Sequence, residues 1–197
     1  LEYAPLAAAD EVSRLLRPTG SIAFIMHLRD GAVFEECRGN RDALDAVAAS
    51  GVMSAFTRLV EESRALRRGR GSHSAFERAD RALSPCVKAM EAALVKYGRH
   101  VGGGMVFRTY ADVGHMYQRL EAFDPQDIIA WAQRAETAIS AWRDRMQSML
   151  DSALDESALQ AWHDRLTAGG IALETPTTLA MGEPPKAGAW VLTGTKD

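Results

Sequence analysis

The sequence predicts a predominantly helical α+β fold: a bundle of about five helices with an N-terminal β-hairpin, which a third strand from the C-terminus is expected to join. Three observations carry this expectation. Ile22, Phe24, Met26 and Leu28 alternate with Ala23, Ile25, His27 and Arg29 ahead of Asp30-Gly31, a pair suited to the φ > 0 positions of a tight turn. Far along the chain, Ile128, Ala132, Ala135, Ile139, Trp142, Met146, Met149 and Leu150 sustain a near-heptad apolar seam. Strands and helices do not alternate in between, which disfavours a parallel α/β sheet.

In chain order, Leu6, Val12, Leu15 and Leu16 suit an amphipathic helix over residues 5–17, which Pro18, Thr19 and Gly20 close. The hairpin region comes next, at 19–39, with Leu28 expected opposite Val33, Met26 opposite Glu35 and Phe24 opposite Cys37. Asn40 is placed to cap a helix reaching about Arg68, with Gly51 tolerated inside it. Ser74 and Glu77 form a capping box for the next helix, in which Pro85 predicts a kink or break. Phe107, Tyr110, Val113, Tyr117 and Leu120 fit a helix whose start, Met105 to Tyr110, also reads as strand. Asp124-Pro125 opens the longest helix, to about Leu154, and Asp155 caps a short one that Gly169-Gly170 ends. Residues 173–188 read as loop, and Ala187 to Thr193 as the returning strand. The whole is expected as one domain, 1–197, with the bundle at 40–168 and the C-terminal loop and strand at 169–197.

Composition narrows function. With 47% hydrophobic and 25% charged residues, the chain has the usage of a globular domain. A net charge of −3 and a pI near 6.0 argue against a surface that wraps nucleic acid or lies on acidic lipid as a whole. No uninterrupted apolar stretch approaches the roughly 20 residues of a membrane span, so no membrane is expected and the protein reads as cytoplasmic. Cys37 and Cys86 lie far apart without CxxC spacing and are expected as buried thiols rather than a disulfide or zinc site.

Two clusters carry candidate chemistry. Around the run Gly102-Gly103-Gly104 lie His100, His115 and Tyr117, where glycines permit close backbone approach and two imidazoles supply acid, base or metal-ligand chemistry. The run is neither GxGxxG nor a P-loop, and a helix connection explains it more simply. Arg67, Arg68, Arg70 and His73, with Arg64, form the densest basic cluster, a candidate contact for an anion or nucleic acid. The simpler reading is that arginines complement the C-terminal dipole of the preceding helix, since no aromatic is interleaved to stack bases. His115 as an axial haem ligand is disfavoured without a CxxCH motif. No GxSxG, HExxH or reactive-cysteine pattern names a catalytic residue, and no cofactor or metal is expected.

The leading expectation is therefore a non-enzymatic intracellular interaction or assembly protein. Its long amphipathic helices would serve self-association or partner docking, with Trp131, Trp142 and Met146 as interface residues. An enzyme or small-ligand sensor at the His100–Tyr117 cluster is the alternative, and a nucleic-acid contact through Arg67–Arg70 a weaker one.

Overall fold

The computed structural model describes residues 5–197, so the first four positions of the expected domain lie outside the described residues. In chain order the elements are α1 (Pro5–Leu15), β1 (Ser21–His27), α2 (Ala32–Ser50), α3 (Val52–Arg67), α4 (His73–Tyr97), a 3-10 turn (Val101–Gly104), α5 (Met105–Gln118), α6 (Pro125–Asp151), α7 (Glu156–Ala168), β2 (Ile171–Leu173), β3 (Thr177–Met181) and β4 (Lys186–Lys196). The fold is α+β and mostly helical, as the sequence predicts. The chain divides into two compact units, one of residues up to Arg38 together with Gln147–Asp197, the other Gly39–Met146.

In the first unit, β4 is the central strand. It pairs antiparallel with β1 on one side and with β2 and β3 on the other. The expected return of the C-terminus is realised, with Phe24 opposite Leu192 and Met26 opposite Trp190. Period-2 alternation turns Ile22, Phe24 and Met26 to one face, where they meet a core of Ala9, Trp162, Leu166, Ile171 and Leu192. The rings of Phe24 and Trp162 meet edge-on, 5.4 Å apart at 68°. Trp190 Nε1 donates to the Leu154 carbonyl at 3.0 Å, which fixes the strand against the α6–α7 connection.

The hairpin itself does not form. Asp30 takes φ 62° and Gly31 N–H bonds to the Leu28 carbonyl, so the turn signal is genuine. Beyond it the chain enters α2 rather than a strand, so Val33, Glu35 and Cys37 are helical and the antiparallel partner of β1 is β4. The reason lies in the spacing: Val33, Phe34 and Cys37 recur at i, i+1 and i+4, a helical stripe, and Glu35 pairs with Arg38 at i,i+3. The 11-residue β4, with Trp190, Val191 and Leu192, supplies a longer and more apolar partner.

The second unit is a bundle of five helices, α3, α4 and α5 with the larger parts of α2 and α6. Its core holds Leu44, Val47, Val52, Phe56, Leu59, Val60, Met90, Val106, Ile128, Ala132 and Ile139. Phe56 is fully buried, and burying one such side chain contributes about 1.5–3 kcal/mol. The segment Ala32–Arg67 includes an 18-residue window of mean hydropathy 1.3, long and apolar enough by composition to cross a membrane, of which 44% is buried inside the protein. A count of uninterrupted apolar residues misses it because charged residues are interspersed. From this segment Leu44, Val47, Val52, Phe56, Leu59 and Val60 lie in the bundle core.

Several boundaries differ from the sequence reading. Gly51, at φ 67°, splits the expected helix 40–68 into α2 and α3. Asn40 lies inside α2 instead of capping it. The cap of α4 is Ser72, whose hydroxyl accepts from Ala75 N–H at 3.2 Å, two residues before the expected Ser74. Pro85 sits within α4 without ending it, and Met105 opens α5 as helix, not strand. The tail contains β3 where a loop is expected, because Thr177 and Leu179 pair with Val191 and Ala189. Asp155 caps α7 through Ala158 N–H at 2.9 Å, and α6 is one continuous helix, both as expected.

Candidate functional site

The residues around the triple glycine do not assemble into one site. His100 is exposed at the start of the 3-10 turn, and His115 lies near the far end of α5, where its ring meets Phe123 edge-on at 5.8 Å. The eleven residues from Gly104 to His115 span about 16 Å of helix, too far for joint action on one small group. The glycines have structural work. Gly102, Gly103 and Gly104 take φ of 60°, 61° and 76°, conformations in which an L side chain is strained. Gly102 N–H donates to Asn40 Oδ1 at 2.8 Å, and the Gly103 carbonyl accepts from Arg108 Nη1 at 3.0 Å.

The basic cluster lies on the α3–α4 connection, with Arg67, Arg68, Arg70 and His73 exposed. Its backbone is turned back on α3: Arg68 N–H bonds to the Arg64 carbonyl, Gly69 to Leu66, and Arg70 and Gly71 both to Ala65. Those amides are consumed in closing the helix and are not directed at an anion. Arg64 and Arg67 stand in the last turn of α3, where positive charge complements the helix dipole.

The expected interface residues are turned into their own structure. Met146 is 5% exposed. Trp131 is half-buried against the bundle core, edge-on to Phe56 at 6.4 Å, and Trp142 is half-buried with the Arg145 guanidinium 5.3 Å above its ring. Neither cysteine forms a disulfide. Cys37 is buried as expected, with its thiol directed at Met149 Sδ, 3.9 Å away, whereas Cys86 is only half-buried.

Of the candidate site residues around the triple glycine, Tyr117 lines a formed recess. The antiparallel pair α4 and α5 encloses a groove of about 340 Å³, lined from α4 by Asp80, Leu83, Ser84, Val87, Lys88 and Glu91 and from α5 by Tyr110, Val113, Gly114 and Tyr117. On α4 these residues recur at three- and four-residue steps, and on α5 Tyr110, Val113, Gly114 and Tyr117 occupy i, i+3, i+4, i+7, so each set lies on one helix face. Each end is closed by a phenol donating to a carboxylate, Tyr117 to Asp80 and Tyr110 to Glu91, both at 2.7 Å. In both tyrosines the hydrogen bond to the carboxylate, reinforced by burial and negative charge, holds the hydroxyl protonated above the usual tyrosine range. Leu83 and Val113 make an apolar floor, at 4% and 3% exposure.

Sequence reasoning reaches one wall of this groove and misses the other. The spacing from Asp80 to Glu91 is visible in the chain, but the pairing of α4 with α5 is a tertiary fact. Among the described residues, no group of three or more His, Cys, Asp or Glu side chains converges to hold a metal ion. The sequence matches no protein-family model, and neither a curated protein nor a solved structure matches the chain.

Proposed function

We propose that this chain is a non-enzymatic interaction or assembly protein that pairs with a second copy of itself through the edge and outer face of its sheet. The observation that carries the reading is Ile25, 70% exposed in the middle of β1. Ile25 lies opposite Val191, and Val191 lies opposite Thr177, with Leu179, 42% exposed, on the same side two residues further along β3. That side of the sheet faces away from the core built on Ile22, Phe24 and Met26.

The edge beside this face is open. Antiparallel pairing gives β4 the backbone groups of alternate residues, Ile22, Phe24 and Met26, as the bond from the Lys196 N–H to the Gly20 carbonyl at the same register indicates. The amides and carbonyls of Ser21, Ala23 and Ile25 therefore point outward, while the His27 carbonyl accepts from Leu154 N–H at 2.8 Å. Edge strands are commonly protected by charge, proline or a bulge. β1, with the sequence SIAFIMH, has no Lys, Arg, Asp, Glu or Pro and pairs with β4 in unbroken register. A two-fold antiparallel pairing centred on Ala23 satisfies both copies at once and brings both Ile25 side chains to the same face.

Light scattering over a concentration series tests the reading. The protein is expected to dimerise, with Ile25→Lys monomeric and equally stable. Ala23→Pro should also dissociate the dimer, since its amide faces away from β4. Trp131→Ala should leave the association intact. A strictly monomeric parent protein, or a dimer that survives both β1 substitutions, would refute it.

A further inference from the structure

The groove between α4 and α5 has a composition and a shape that the packing of the bundle does not require. Gly114 lies inside α5, away from its ends, with no positive φ, and a Cβ built on it would meet no atom within 4 Å. Neither backbone conformation nor a close neighbour calls for glycine there, and glycine weakens a helix interior. What its missing side chain does is hold the groove open between Val113 and Tyr117.

The polar groups sort by position. Both phenols donate to their carboxylates, so the two ends offer acceptors: the remaining oxygen lone pairs of Asp80 and Glu91. Between them lies the apolar floor of Leu83, Val87 and Val113, with exposed Ser84 also lining the groove. Asp80 and Glu91 are eleven positions apart on α4, about 16 Å along the axis. A ligand that matches must present donors at both ends and hydrocarbon between. Lys88 is exposed on the rim, placed to oppose a cation and to attract an anion.

From this arrangement we infer that the α4–α5 groove binds a linear aliphatic diamine, one ammonium at Asp80, the other at Glu91, its methylene chain over Leu83, Val87, Val113 and Gly114. Each ammonium makes charge-assisted hydrogen bonds to a carboxylate that a tyrosine already orients, and the tyrosine faces add a surface on which cations are stabilised. The inference is independent of self-association, because the groove lies wholly in the helical unit and β1 in the other.

Isothermal titration calorimetry with α,ω-diaminooctane, hexylamine and octanoate as probes tests it. The diamine is expected to bind one per chain, hexylamine more weakly, and octanoate not at all. Asp80→Asn and Glu91→Gln, whose amide oxygens still accept from the tyrosines, should each weaken the diamine about tenfold or more. Gly114→Leu should abolish binding by filling the groove, and Lys88→Gln should tighten it. No saturable binding of the diamine, binding unchanged in Asp80→Asn and Glu91→Gln, or octanoate binding that Lys88→Gln weakens would overturn the inference. Circular dichroism of each variant establishes that the helices persist; should Gly114→Leu fail to fold, the two carboxamide variants decide.

Discussion

Asn40→Ala isolates the contact that ties α2 to the glycine turn. Asn40 is half-buried inside α2, and its Oδ1 accepts from the N–H of buried Gly102, 62 residues away, at 2.8 Å. Removing the side chain leaves a buried donor without its partner, which costs about 1–3 kcal/mol. Alanine is also the better helix former by about 0.7 kcal/mol, so the net loss is about 0.3–2.3 kcal/mol. Asn40→Asp retains an acceptor oxygen at the same place with similar helix propensity, and should stay close to the parent protein. Urea unfolding monitored by far-ultraviolet circular dichroism gives both differences, provided the m-value is constant across the series. An alanine variant as stable as the parent, or an aspartate variant that falls as far as alanine, would refute the role assigned to this hydrogen bond.

Two more outcomes are expected from the geometry. Gly114→Ala places a methyl group in open space within α5 and should stabilise the protein by up to about 1 kcal/mol, a rise of about 2–4 °C in melting temperature for a chain of this size. Calorimetry showing a lower melting temperature would mean that the groove is closed in solution. Asp155 has its carboxyl pKa lowered, chiefly by the Ala158 N–H and then by the Ser157 hydroxyl. Its capping contribution is thus fully present above the unfolded carboxyl value of about 3.9 and lost as pH falls through the lowered folded value. The stability gap between the parent and Asp155→Ala should be constant from neutral pH down to about the unfolded carboxyl value and narrow as pH falls from there through the lowered folded value, as equilibrium unfolding over a pH series would record.

How much of the fold and of the groove is legible in the sequence depends on which interactions are local. The α6 seam and the Asp155 cap rest on periodicity or on a cap within a few residues, and both are realised. The return of Trp190-Val191-Leu192 to β1 is long-range, and it is legible because an N-terminal strand needs a partner and this segment is the apolar candidate. Asp30-Gly31 illustrates the opposite. A tight turn reverses the chain without specifying whether a strand or a helix comes after it, and the helical spacing of Val33, Phe34 and Cys37 outweighs a hairpin with only Glu35 to face Met26. The triple glycine reads from sequence as a helix connection, which it is. Its partner Asn40 does not show, because no local pattern marks an asparagine whose hydrogen bond closes 62 residues later. The groove stays hidden for the same reason: Tyr117 stands out in the sequence, whereas Asp80 acquires meaning only once α4 lies antiparallel to α5.

The length of α6 is the instructive case. A helix of 27 residues, about 40 Å, exceeds what one domain core of this size ordinarily covers, and from sequence the excess points to an intermolecular contact. In the structure the helix is divided between two units. Ile128, Ala132 and Ile139 are buried in the core of the helical unit, while Leu150, 6% exposed, belongs to the sheet-bearing one. An apolar stripe that is buried or half-buried along its length leaves little free energy for association, since most of the area is already withdrawn from water. Ile25 is the reverse: a single β-branched side chain, 70% exposed beside an unprotected strand edge, with most of its burial still to be gained. By area still to be withdrawn from water, the self-association proposed above would rest on the short strand rather than on the long helix.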